Sequence, residues 1–186
     1  SFGNAIFKAY KKFGNTTPIL SLENPPAGAA VATGEDLKKL VEATRNKFVE
    51  NAVKDGMSKS TAQNEAKKLI GATWDVGHIN MLRKQGYTEK DLVKETETIA
   101  PFVKHVHLSD NFGFEHTELP MGMGNVPIKK MMEKIDQKGF EGKKIVEAMS
   151  WWQHFSPAGG PSTPPLNATL EAMGSPIYSM TMGPYW

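Results

Sequence analysis

The sequence predicts an α/β fold in which a parallel sheet is assembled from about four repeated βα units, and three observations carry that expectation. Helical and strand-like stretches alternate over residues 1–150. The strand-like stretches are short, apolar and bounded by loop-forming residues. Four of them, ending at Glu23, Asp75, His107 and Glu147, each deliver a side chain able to ligate a metal to their carboxyl end. Alternation of this kind implies parallel strands joined by right-handed crossovers. Such folds collect their chemistry at the carboxyl ends of the strands, where the loops converge while the strand bodies stay packed.

In chain order, Ala5, Ile6, Ala9, Tyr10 and Phe13 recur at helical spacing and predict a first helix from Asn4 to Phe13, with Gly14 as its stop. Thr17 to Glu23 reads as a strand, and the Asn24-Pro25-Pro26-Ala27-Gly28 run that follows can continue neither structure. Thr33 is placed to cap a helix whose apolar face is Leu37, Leu40, Val41, Thr44 and Phe48. A further helix is expected around Ser60 to Ile70, and a second strand from Ala72 to Val76. Helical spacing returns from Asn80 to Gln85. It returns again from Glu89 to Val103, where Thr88 and Asp91 have the spacing of a capping box. Lys104 to Leu108 is the third expected strand, Ser109 to Pro127 a long glycine-bearing loop, Ile128 to Lys138 a helix stopped by Gly139, and Lys143 to Met149 the fourth strand. A loop of that length inside a compact domain is usually functional or disordered.

After Ser150 the composition turns to Pro, Gly, Met and aromatic residues, so we divide the chain into a domain over 1–150 and an extension over 151–186. The extension is expected to pack on the barrel surface or on a partner, with Leu166 to Met173 its one helical stretch. Trp151, Trp152 and Phe155 either serve that packing or wall a pocket, since aromatic faces beside polar groups suit sugar rings.

With 186 residues the chain can bury a substantial single core. A formal charge of only +2 argues against a nucleic-acid partner. The absence of cysteine excludes disulfides and thiolate-bound zinc. No apolar run is long enough to span a bilayer and no signal segment opens the chain, so we expect a cytoplasmic protein without a membrane partner. The first residue is Ser1, so a segment upstream is expected to be missing.

Side-chain alternation puts Ser21 on the face of Glu23, Thr73 with Asp75, His105 with His107 and Ile145 with Glu147. Three carboxylates and one imidazole converging from four strands would hold a divalent cation (Mn²⁺, Mg²⁺, Co²⁺ or Zn²⁺) with positions left open for substrate oxygens. His105 is expected to be a hydrogen-bonded interior histidine. His78, three residues after Asp75, brings a second imidazole to the same rim, to orient substrate, to bind a second metal or to stand in solvent at a helix start.

Read together, these pieces resemble the carboxyl-terminal half of the xylose-isomerase-like TIM barrels, the superfamily of sugar isomerases and epimerases and of endonuclease IV. Leu22-Glu23-Asn24 is similar to that family's first metal-glutamate strand end, and Trp74-Asp75-Val76-Gly77-His78 to its Asp-x-x-His element. His105-Val106-His107-Leu108-Ser109-Asp110-Asn111 is similar to its His-x-His-x-x-Asp segment. Leu119-Pro120-Met121-Gly122-Met123-Gly124 resembles its Leu-Pro-x-Gly-x-Gly turn, and Ile145-Val146-Glu147 its last glutamate. The resemblance departs in two places. His116-Thr117-Glu118 stands where endonuclease-like members carry Asp-x-His, and four strand units are visible where a complete barrel of about 250 residues has eight. The implied fold is a TIM-barrel-type (β/α) repeat, either a half-barrel or the C-terminal part of a (β/α)8 barrel.

The resemblance implies a metal-dependent sugar isomerase or epimerase that moves a proton next to a carbonyl. Glu23, Asp75, His107 and Glu147 would be the metal ligands, with Glu23 and Glu147 also the acid and base. His78, His116, Glu118 and Trp151 would contact a small sugar or polyol substrate. Metal-dependent phosphodiester hydrolysis of the endonuclease kind, or a catalytically silent truncated barrel, are the alternatives. An open four-strand sheet exposes two edges and its interior, so a homodimer, a missing N-terminal half or the 151–186 extension folded across the opening is expected to cover it.

Overall fold

The computed structural model describes residues 1–148. Trp151, and with it the whole 151–186 extension, lies outside them. The expected alternation is present: α1 (Phe2–Phe13), β1 (Leu20–Glu23), α2 (Gly34–Lys54), α3 (Lys59–Leu69), β2 (Ile70–Asp75), α4 (Val76–Asn80), α5 (Glu89–Ile99), β3 (Val103–Leu108), α6 (Ile128–Asp136) and β4 (Lys143–Val146). The four strands form one sheet in the order β1-β2-β3-β4, with every neighbouring pair parallel. This is a partial α/β barrel of the TIM type.

Local chemistry sets the helix boundaries. The Thr33 hydroxyl accepts the Asp36 N–H at 3.1 Å and starts α2. Ser58 does the same for Thr61 at the start of α3, and Thr88 with Asp91 forms a complete capping box on α5. Two ends differ from the sequence expectation by four residues. The α5 helix stops at Ile99, and Ala100–Phe102 tightens into a 3-10 turn, because Pro101 has no N–H to continue the α ladder. Helical structure, expected from Asn80 to Gln85, begins four residues earlier, at Val76, because Asp75 caps it by accepting the His78 N–H at 2.8 Å, and Met81–Gln85 follows as a 3-10 turn.

The core lies between the sheet and its helices. Leu22, Ala72, Trp74, Val106 and Leu108 point outward into a buried layer with Leu37, Val41 and Phe48 of α2, Leu92 and Ile99 of α5, and Met131 and Ile135 of α6. Trp74 is fully buried and its indole N–H donates to the Thr96 hydroxyl at 3.1 Å, so no polar atom is stranded there. Phe7 and Tyr10 of α1 each meet Phe48 edge-on at 5.7 Å, tying the first helix to α2. Arg45 closes the amino end of the sheet, donating from both Nε and Nη2 to the Ile70 carbonyl while its guanidinium stacks on Phe102.

The opposite face of the sheet is open over part of its area. Ser21 and Thr73 satisfy each other there at 2.8 Å, but Ile19 and Ile145 are exposed. His105, expected to be a hydrogen-bonded interior residue, is half-buried, edge-on to His107 at 6.4 Å, and makes no side-chain hydrogen bond among the described residues. The reason is the same openness, since no strand stands opposite it in the described sheet.

One glycine is dictated by approach rather than by backbone conformation. The amino end of α2 runs against α5, where Glu95 accepts the Gly34 N–H at 2.8 Å, and a Cβ on Gly34 would come within 2.2 Å of the Glu95 carbonyl oxygen. Gly34→Ala therefore forces the two helices apart. The expected loss is about 1–3 kcal/mol of folding stability, read as a lower denaturant midpoint with unchanged slope. An unchanged midpoint would mean that the two helices yield without cost.

Candidate metal centre

Parallel pairing brings the four sequence-selected donors to one level. Asp75 on β2 is in register with His107 on β3, and His107 with Ile145 on β4. Glu147 extends that ladder by donating its N–H to the Leu108 carbonyl at 2.9 Å, and Glu23 closes β1. An irregularity in the β2–β3 ladder contributes: Ala72 pairs with Val103 but Thr73 with His105, leaving Lys104 as an extra residue. Below the irregularity the register steps by one, and it is this step that sets His107 beside Asp75.

The donor atoms converge. His107 Nδ1 lies 3.2 Å from Glu23 Oε1, 3.1 Å from Glu147 Oε2 and 3.9 Å from Asp75 Oδ2. One atom from each of the four residues falls within 4.8 Å of the others. That matches donors placed around a single ion at about 2.0–2.4 Å, for which two donors are never more than twice that distance apart. Two of these atoms, Asp75 Oδ2 and His107 Nδ1, are buried and have no hydrogen-bond partner. Buried polar atoms are almost always paired, so this pair of orphans at the focus of three carboxylates fits a cation. The four residues could hold a metal ion.

Asp75 is held most firmly. Asn24, directly after Glu23, clamps its backbone from both sides, accepting its N–H at 2.8 Å and donating to its carbonyl at 3.0 Å. Its Oδ1 is occupied by the His78 N–H, which leaves Oδ2 aimed at the cluster. Gly77 is required beside it, since a Cβ there would lie 2.2 Å from the Ser109 hydroxyl. Burial pushes the Asp75 carboxyl up to about 6, and the Glu23 and Glu147 carboxylates push the same way. The His78 ring and its backbone N–H oppose them.

His78, His116 and Glu118 form a second group beside the first. His78 Nδ1 contacts the Asn24 carbonyl at 2.7 Å, its Nε2 meets His116 Nε2 at 2.7 Å, and His116 Nε2 lies 3.1 Å from Glu118 Oε1. The three residues named as substrate contacts within the described chain thus lie together, with His78 Nδ1 3.7 Å from both Glu23 Oε1 and Asp75 Oδ2. Trp151 lies outside the described residues.

Sequence reasoning missed two supporting residues. Asn24 looked like the first residue of a loop, and only the fold shows its amide spanning from β1 to the backbone of β2. Asp110 was noted inside a motif without a task. It is buried and organises the 109–127 loop, accepting from the backbone N–H groups of Asn111, Gly122 and Val126. An acidic residue followed by a glycine-rich run is the signal that could have flagged it.

Comparison with known proteins agrees with this geometry. A family model described as xylose isomerase-like TIM barrel matches residues 29–171. An uncharacterized protein of Methanocaldococcus jannaschii is 30% identical over 80 residues, which is 43% of this chain and 26% of that protein. A crystal structure of a D-tagatose 3-epimerase-like protein superposes with a TM-score of 0.50 at 25% identity, covering 77% of this chain and 44% of that one. The chain thus spans less than half the length of either relative. The match over most of its residues, together with the parallel sheet and the ligand-bearing strand ends, establishes that the chain belongs to the xylose isomerase-like TIM barrel family.

Proposed function

We propose that Glu23, Asp75, His107 and Glu147 bind one divalent cation, and that the site isomerises or epimerises a small sugar or polyol by proton transfer next to a carbonyl. The observation that carries this reading is the convergence of four donors from four strand ends, two of them buried atoms without a hydrogen-bond partner. The likeness to a D-tagatose 3-epimerase-like protein supports the reaction class.

A bound divalent ion supplies Lewis acidity to neighbouring carbonyl and hydroxyl oxygens and so acidifies the adjacent C–H. The protein's own residues do the rest. Glu23 and Glu147 stand at opposite edges of the sheet and are each partly exposed, which lets them face a substrate carbon from two sides. Each offers one oxygen to the donor set and keeps a second, so one carboxylate removes a proton while the other returns one. Asp75 and His107, less exposed, hold the ion. His78 binds a substrate hydroxyl through Nε2, in place of its 2.7 Å contact with His116, because its Nδ1 is engaged by Asn24.

The open inner face belongs to the same proposal. We assign its cover to a second copy of the chain, whose four strands would complete an eight-stranded barrel. Light scattering over a concentration series is expected to show a dimer. A cooperatively melting monomer at every concentration would remove that assignment.

Metal analysis after dialysis tests the ligand set. The protein is expected to retain about one equivalent of divalent metal and Glu147→Gln to retain far less; negligible metal in both would end the proposal. Asp75→Asn adds a second readout. In the metal-free protein, Asp75 keeps a proton that the unfolded chain has lost between about pH 4 and about 6. Stability therefore falls as pH rises through that window and stays lower above it, by about 3 kcal/mol at most. The amide keeps the oxygen that caps α4 and removes the charge. With chelator present, Asp75→Asn should be more stable than wild type at neutral pH and no more stable near pH 4. Equal stability at both would show that the buried carboxylate carries no penalty.

For catalysis, the metal-loaded protein is expected to exchange a substrate proton with solvent deuterium when D-tagatose and related ketoses are supplied, and not to nick abasic-site DNA. NMR and a nicking assay on one preparation distinguish these activities. Metal-dependent nicking without exchange on any ketose would instead assign the site to phosphodiester hydrolysis.

A further inference from the structure

The backbone ladder between β1 and β2 ends where Glu23 pairs with Thr73, two residues short of Asp75. Pro25 and Pro26 follow in the chain, and neither has an N–H with which to continue it. The side chain of Asn24 supplies the missing rung. A primary amide offers a carbonyl acceptor and an N–H donor, as a peptide unit does. Asn24 uses both on the Asp75 backbone, accepting its N–H at 2.8 Å and donating to its carbonyl at 3.0 Å.

This rung constrains the cluster more than an ordinary loop contact would. Asn24 is fully buried, so water does not compete for either bond. It also directly follows Glu23, so the group that holds Asp75 holds it relative to the donor from the neighbouring strand. Asp75 Oδ1 is tied to the His78 N–H at 2.8 Å. With its backbone and one oxygen both held, the carboxylate has little freedom left to move Oδ2. Glu23 and Glu147, with side chains 38% exposed, are the donors free to adjust.

We infer that Asn24 is the positioning residue of the metal site, and that by fixing Asp75 against Glu23 it makes the site select a small divalent ion over Ca²⁺. This rests on the proposed reading of the four donors as a metal site. The three facing carboxylate oxygens stand 3.1, 3.2 and 3.9 Å from His107 Nδ1, a closely drawn set. Ca²⁺ takes about six to eight oxygens at about 2.3–2.6 Å in a flexible shell, and the size and stiffness of the cage decide between it and a smaller ion. A carboxylate free to swing widens the set and admits Ca²⁺. A carboxylate held by its backbone does not. The Asn24 amide is engaged by Asp75 on both sides, so it acts through Asp75 and not on the ion.

Two measurements on the full chain test this. The first is calorimetric binding of Mn²⁺ and of Ca²⁺ to wild type, Asn24→Ala and Ala52→Gly. The last of these removes a buried methyl from the final turn of α2 and weakens folding without touching a strand end. In Asn24→Ala the Mn²⁺ affinity should fall by about 10–100-fold, as on loss of a group that orients a ligand, and the Ca²⁺ affinity by much less. Ala52→Gly should keep both affinities. Equal losses for the two ions, or the Asn24→Ala pattern in Ala52→Gly, would assign Asn24 to general stability and overturn the inference. If Asn24→Ala does not fold, Asn24→Gln takes its place with the same expected change, since its amide sits one methylene further out and cannot keep both bonds from the same backbone position.

The second measurement needs no metal. Asp75 Oδ1 holds the His78 N–H, so exchange of that amide with solvent deuterium reports where the carboxylate stands. In metal-free Asn24→Ala it should exchange about tenfold faster than in wild type, the worth of about one hydrogen bond, with the amides inside α6 as reference. An unchanged His78 rate would also overturn the inference. If wild type binds neither ion, the metal reading fails, and the exchange rates still decide whether Asn24 positions Asp75.

Discussion

Everything at the carboxyl end of this sheet depends on keeping one buried carboxylate where a carboxylate is costly. Asp75 is fully buried, with one oxygen committed to the start of α4 and the other left unpartnered beside His107. Desolvation alone would favour expelling or protonating such a group. The chain prevents expulsion by holding the backbone of Asp75 rather than its side chain. The Asn24 amide reaches from the end of β1 and bonds both the N–H and the carbonyl of Asp75. The surrounding sequence follows from that clamp. Gly77 is needed because Ser109 fills the space its Cβ would occupy. His78 is fixed because its backbone caps on Asp75 while its ring binds the carbonyl of the same Asn24.

Which features of the fold were legible in the sequence follows from the range of the interactions that set them. The capping boundaries at Thr33 and Thr88 are local: a hydroxyl and an N–H three residues on decide them. The apolar face of α2 and the alternation along β2 and β3 are likewise local, and they imply parallel strands before any coordinates are known. The errors are also local in origin. Asp75 is a ligand candidate by sequence, and its second task, capping α4 at Val76, does not show in the pattern. Pro101 was read as lying near a helix end, whereas its missing N–H ends the α ladder before it.

The site was legible only in part, because its other half is set by contacts between distant segments. That four donors lie at strand ends can be read from periodicity. That their atoms come within 4.8 Å of one another depends on the β2–β3 irregularity, which no pattern in Val103 to Leu108 announces. Nothing in the sequence spacing predicts that His116 meets His78 across 38 residues. That contact exists because Asp110, buried, gathers three backbone N–H groups of the 109–127 loop and pairs with Leu119, folding the arm back over α4. His105 shows the opposite case. Its alternation with His107 was read correctly, but its surroundings could not be, since they depend on what stands across the sheet.

The two clusters divide the labour by the kinds of hydrogen they hold. The four-donor cluster has acceptors in excess: three carboxylates surround one imidazole nitrogen, and two buried atoms go unpartnered. Only a cation or protons can satisfy it, and a cation does so while leaving the carboxylates ionised. Along the line from Asn24 through His78 to His116 each acceptor is matched by a donor, while the buried Glu118 Oε2 beside them has no hydrogen-bond partner. The exchange of Asp-x-His for His-x-Glu has its physical meaning here. With the imidazole first, its nitrogen reaches His78. With the acid two residues later, in a strained and buried position, the carboxylate faces the same imidazole nitrogen that meets His78.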